Sequence, residues 1–162
     1  NAKFRIIDEA TNMPAIALGY DSQGHGQYNS SNKRYDIKSK GFYAVASKNY
    51  LFLGNVGFHF GANFSLEVKD KDDQLNFFCG LDKDLGKVIT FLWEYDFAWN
   101  DNSNQTIEEA LEVAKHGYMN TSFDINFTEY LKLKVSLYDM LKKRSDTFRS
   151  DRTLALIYNM TF

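Results

Sequence analysis

The run Val88 to Asn100, VITFLWEYDFAWN, constrains this chain more than any other stretch. Its odd positions are Ile89, Phe91, Trp93, Tyr95, Phe97 and Trp99, while Thr90, Glu94, Asp96 and Asn100 are among its even ones. Successive side chains of a strand point to opposite faces, so this alternation gathers the aromatic rings on one face and two carboxylates on the other. Such a strand fits two settings. One is a soluble sheet whose apolar face closes on a core; the other is a transmembrane barrel with lipid outside and a polar lumen.

The same alternation recurs along the chain. In Asn55 to Val68, the residues Val56, Phe58, Phe60, Ala62, Phe64 and Leu66 face away from Gly57, His59, Gly61, Asn63, Ser65 and Glu67. At about 3.3 Å per residue, a strand of that length crosses a hydrocarbon layer even when tilted. Weaker versions run through Ala2 to Ile7, Ala15 to Asp21 after Pro14, Gly41 to Lys48 and Leu75 to Lys83. Others run through Tyr118 to Phe127, Leu131 to Met140 and the closing TLALIYNMTF. The expected count is nine strands in one domain spanning 1–162. A capping-box spacing at Thr106 and Glu109, with Gly117 as a stop, predicts one short helix within the loop 101–116.

Composition removes several classes of function. A formal net charge of −2, with Lys and Arg scattered, gives no electrostatic footprint for nucleic acid. No run of about 18 apolar residues exists, so helical membrane spans are excluded, whereas barrels hide their signal in alternation. The single cysteine, Cys79, cannot form an internal disulfide, and nothing suggests a metal or cofactor site. Cys79 sits among Leu75, Phe77 and Leu81 as a small apolar wall residue.

Three features favour lipid over a soluble core. Phe58, Phe60, Phe91, Trp93, Tyr95, Trp99, Tyr158 and Phe162 form an expected lipid-facing set, in which Trp93, Tyr95 and Trp99 suit an interfacial girdle. The connections 22–40, 101–116 and 142–152 are long and 69–74 is medium, alternating with short ones at 8–12, 49–54, 84–87 and 128–130, the asymmetry of barrels with short periplasmic turns and long outer loops. The last ten residues end an alternating strand on Phe162, which resembles the assembly signal of Gram-negative outer-membrane proteins. The expectation is an all-β, antiparallel, up-and-down transmembrane β-barrel in the bacterial outer membrane. Because single-chain bacterial barrels have even strand numbers, nine strands imply at least one more, in a barrel of ten or above.

Residues 3–26, KFRIIDEATNMPAIALGYDSQGHG, followed by GFYAVASKNY at 41–50, resemble repeated segments of YjbH-type outer-membrane proteins associated with exopolysaccharide. Pro14, Ala15, Ile16, Ala17 and Gly19 carry the first part of the likeness, and Val45, Ala46, Ser47 and Lys48 the second. The Gly-rich part that follows in that family is only partly present, as Gln23, Gly24, His25 and Gly26. The resemblance implies a part in moving or anchoring a surface polysaccharide, and the expected function is a non-enzymatic barrel serving as a porin-like channel, scaffold or surface-polymer export component.

Opposite the apolar faces stand His59, Asn63, Glu67, Asp82, Glu94, Asp96, Asp124, Lys132 and Lys134, the expected lumen cluster. The acids are expected to pair with Lys132, Lys134, Lys3 and Arg5 across neighbouring strands about 5 Å apart. A catalytic His59 or an aspartyl pair is the sharper alternative, but no Ser and His grouping supports a hydrolase. Expected partners are outer-membrane lipid, the barrel-assembly machinery through the strand ending at Phe162, and envelope proteins through loops 22–40 and 101–116. A soluble secreted lipid-binding barrel of lipocalin type is the competing reading. It requires the aromatic faces to turn inward around an apolar ligand.

Overall fold

The computed structural model describes residues 1–31, 33–69, 72–101, 117–141 and 151–159. Eleven strands account for the regular structure of these residues: β1 (Ala2–Ile7), β2 (Ala15–Asp21), β3 (His25–Asn29), β4 (Arg34–Ile37), β5 (Gly41–Leu51) and β6 (Asn55–Ser65), then β7 (Asn76–Leu85), β8 (Ile89–Asp96), β9 (Tyr118–Asn126), β10 (Leu131–Tyr138) and β11 (Asp151–Tyr158). Nine of them form one antiparallel sheet in the order β1-β2-β5-β6-β7-β8-β9-β10-β11, and β3 pairs with β4 separately. The sheet is not closed among the described residues, since β1 and β11 stand at its two ends. The nine strands agree with the alternation read from the sequence, and the region expected to hold a helix, including Thr106 and Glu109, lies outside the described residues.

Register explains why bulky and small residues alternate in the first strands. Across β1, β2 and β5, Phe4 pairs Leu18, Leu18 pairs Ala44 and Tyr20 pairs Phe42 on one face. On the other face, Ala17 pairs Val45 and Gly19 pairs Tyr43. A Cβ built on Gly19 would lie 2.2 Å from Cζ of Tyr43, so the missing side chain is what lets that ring lie flat across the strand.

Two elements differ from expectation. Residues 22–40 are not simply an exposed loop, because the β3–β4 hairpin forms there and buries Arg34 and Lys38. The strong aromatic strand stops at Asp96, short of Asn100: Ala98 takes a positive φ of 53°, and Asp101 donates its backbone N–H to Ala98. Trp99 nevertheless stays beside the apolar face, its ring 5.2 Å from Phe77 and 5.7 Å from Phe97.

The sheet exposes many of its large apolar side chains, and most of the buried side chains are polar. Phe60 and Leu156 are 54% and 68% exposed, and Phe4, Ile6, Leu18, Phe42, Phe58, Phe64 and Leu154 are exposed with them. The buried side chains are mostly polar: Asn76 is 1% and Glu67 3% exposed, with Arg34, Lys38, Ser65, Asp72, Asn100, Asp124, Ser136 and Asp139 also buried. Single exposed apolar residues are ordinary, but a whole strand face of them above a buried polar face is not.

The chain divides into two compact units. The first comprises Asn1–Lys48, His59–Cys79 and Asp96–Gly117, and the second Asn49–Phe58, Gly80–Tyr95 and Tyr118–Phe162.

Candidate functional site

In the first unit, the polar face carries a network that ties the long connections together. Glu67 lies just past the end of β6, and its carboxylate accepts backbone N–H bonds from Tyr35 (2.7 Å), Ser39 (3.1 Å) and Lys40 (3.1 Å). Three donors on one buried carboxylate compensate its lost hydration, so this glutamate fixes the exit of the β3–β4 hairpin. Ser65 adds a hydrogen bond from its Oγ to Lys40 O (3.2 Å), and Leu66 N bonds the same carbonyl (2.9 Å). The hairpin also offers Arg34, whose guanidinium forms a buried ion pair with Asp101, and Lys38, whose ammonium bonds Asp72 O at 2.9 Å.

A second arm of the network closes the end of β8. Asn76 Nδ2 donates to Asp96 Oδ1 (2.7 Å), while Asn76 Oδ1 accepts from Trp99 N (3.0 Å). Asp96 Oδ1 also accepts from Ala98 N at 2.7 Å, the local bond that bends the chain out of the strand. Asn100 Nδ2 reaches Asn63 Oδ1 at 3.5 Å. His59 stands apart, its Nδ1 2.8 Å from Ser47 Oγ. Thus His59 and Asn63 of β6 and Glu67 just past its end, which share one parity in the sequence, are engaged with different neighbours and do not form one constellation.

The second unit holds the ion-pair ladder. Asp124 lies opposite Lys134 in the β9–β10 register, one step from Lys132. Its carboxylate receives both ammonium groups, Lys132 at 3.1 Å and Lys134 at 3.5 Å, and is 7% exposed. Glu94 departs from the expected pairing with a lysine and accepts from Asn120 Nδ2 (3.2 Å), whose Oδ1 accepts from Asp139 N (3.0 Å). Asp82 projects across Gly57: a Cβ there would come within 2.3 Å of Asp82 Oδ1. Arg5 pairs with Asp8 on its own turn at 3.5 Å, both side chains largely exposed, instead of with a sheet acid.

The apolar set follows its strands. Phe58 and Phe60 are exposed, Phe91 and Trp93 partly so, with Phe91 5.2 Å from Phe123 and the Trp93 and Tyr95 rings stacked at 6.4 Å. Tyr158 ends β11, exposed, and Phe162 lies outside the described residues. Sequence reasoning missed Arg34, Lys38, Asp72 and Asp101, all in connections where no period marks a buried position, and it left Asn100 out of the expected cluster although its parity placed it on the polar face of the run Val88 to Asn100. Asn76 was not among the expected cluster either, although it shares the parity of Asp82 in β7. Among the described residues, no group of three or more His, Cys, Asp or Glu side chains is placed to hold a metal ion.

Chemically, these arrangements hold charge in place. The buried acids Glu67, Asp101 and Asp124 are met by backbone N–H groups, a guanidinium and two ammonium groups respectively, so much of the polar side is held by fixed partners. Comparison with protein-family models, curated proteins and solved structures finds no match for the chain.

Proposed function

We propose that this chain is part of a non-enzymatic β-barrel of the bacterial outer membrane, acting as a channel or scaffold associated with surface-polymer (exopolysaccharide) export. One observation carries the reading: the face bearing Phe58, Phe60 and Leu156 is exposed while the face bearing Glu67, Asn76 and Asp124 is buried. Water penalises that arrangement, and acyl chains reward it. In the lipocalin-type alternative the same rings must line a dry interior, and their exposure counts against it.

A closed antiparallel barrel of this kind has an even number of strands, so the nine sheet strands of the described residues call for at least one more. The resemblance of segments 3–26 and 41–50 to exopolysaccharide-associated barrels supports the polymer role. The buried ion pairs favour a filled or narrow lumen over a wide pore.

Membrane fractionation tests the reading. The expected outcome is a protein recovered with outer membranes, released only by detergent, and shifted in electrophoretic mobility on boiling. A monodisperse, folded protein at high concentration without detergent contradicts it. Conductance in planar bilayers then separates channel from scaffold.

A further inference from the structure

The β5–β6 turn carries the sequence Tyr50-Leu51-Phe52-Leu53, the most exposed apolar run among the described residues. Leu51 is 86%, Phe52 69% and Leu53 85% exposed. Next to it, Leu85 and Val88 of the β7–β8 connection are also exposed, and Asn126 N bonds Val88 O at 2.7 Å, bringing exposed Phe127 into the same row. Short turns facing water are ordinarily built from polar residues and glycine.

The backbone of this turn is equipped for a dry medium. Lys83 reaches from β7 and donates its ammonium to the carbonyls of both Phe52 and Leu53, the latter at 2.8 Å, and it also lies 5.9 Å from the centroid of the Phe52 ring. Phe52 N is satisfied within the turn by Gly54 O at 2.8 Å. In water these groups would be hydrated at little cost. In hydrocarbon each unsatisfied group costs several kcal/mol, so a turn that enters lipid must supply its own partners. Continuity points the same way: Tyr50 contacts Phe58 edge-on at 6.0 Å, so the turn extends the exposed apolar face of β6.

We infer that the Leu51–Leu53 turn is an interfacial anchor that enters the acyl-chain boundary of the bilayer, with Lys83 as the cation at headgroup level. The occupant is a lipid surface, bound by apolar side chains below and a cation above. This rests on the reading that the sheet face meets lipid, and it adds a site at the short-turn end that fixes the depth at which the strands sit.

The test uses tryptophan emission in phosphatidylethanolamine and phosphatidylglycerol vesicles whose acyl chains are brominated either near the headgroup or near the chain centre. One protein carries F52W in a W93F, W99F background; a second carries L51W in the same background, in case the first does not fold. A third, W99F alone, keeps Trp93 as reporter of the sheet face. The expected result is several-fold stronger quenching of the turn reporter by shallow than by central bromines, reduced when Lys83→Met is added, with Trp93 also quenched. If Trp93 is quenched and neither turn reporter is, the anchor is refuted and the lipid-facing sheet survives. If the turn reporter is shifted to the blue without bromine quenching, a protein partner covers the turn and the anchor is again refuted. Quenching of the turn reporter alone removes the spanning sheet and with it the anchor's role in setting strand depth, leaving the turn as a peripheral lipid contact; quenching of none removes both.

Discussion

The connections around Glu67 and the turn at Leu51 to Leu53 both join neighbouring strands, and they do so with opposite chemistry. The first buries charge, pairing Arg34 with Asp101 and giving Glu67 three backbone N–H donors. The second exposes aliphatic and aromatic carbon and satisfies its own carbonyls with Lys83. In a domain that packs its apolar side chains inward the expectation is the reverse, with charge outside and the apolar run beneath it. The contrast teaches that burial in this chain does not mean removal from water into oil. The polar side is where partners are held, and the apolar side is where the solvent itself is expected to be apolar.

The largest effect that could break this contrast lies at the buried ion pair. Asp101→Ala leaves the Arg34 guanidinium buried without its carboxylate, and a loss of about 3–5 kcal/mol in unfolding free energy is expected. The double variant Arg34→Met, Asp101→Leu is expected to recover most of it, because an apolar pair avoids both desolvation costs. Urea titration in detergent measures both, and an Asp101→Ala protein as stable as the parent would mean that this region is wet.

Next in size is Glu67→Gln, which keeps the shape but removes the charge that three amides share. A loss of about 2–3 kcal/mol is expected, with faster hydrogen exchange at Tyr35, Ser39 and Lys40 in particular. Exchange that rises uniformly would show that Glu67 does not hold the hairpin. The smallest effect is at the ladder: Lys132→Met or Lys134→Met alone should cost about 1 kcal/mol or less, since each ammonium is partly exposed and the other remains on Asp124. The pair replaced together should cost more than the sum and alter bilayer conductance if the lumen conducts. Unchanged stability and conductance would argue that these charges neither fill nor bias a lumen.

How far the sequence discloses all this differs between the two regions. The apolar face was legible because alternation acts over neighbouring residues: Phe58, Phe60, Phe91 and Trp93 announce their common face within a single strand. The Asp124 pairing with Lys132 and Lys134 was legible too, since a short turn places β9 directly against β10. The network around Glu67 was not. Arg34 and Asp101 are 67 residues apart, in connections with no period, and only folding of the β3–β4 hairpin brings them together. Trp99 fell between these cases, since its aromatic parity was right but Asp96 ends the strand by capturing Ala98 N. The turn at Leu51 was visible as letters, yet nothing local told that Lys83 would satisfy its carbonyls.

Which solvent wets the apolar face of the sheet is probed most cleanly at Leu156. It is exposed, paired with Leu133 in the β10–β11 register, and has no ring contact or ion pair to lose. Unfolding of Leu156→Arg in lipid vesicles should show a loss of about 2–4 kcal/mol, the cost of a cation facing hydrocarbon. A change within about 0.5 kcal/mol, the ordinary result for an exposed position in water, would contradict the central claim.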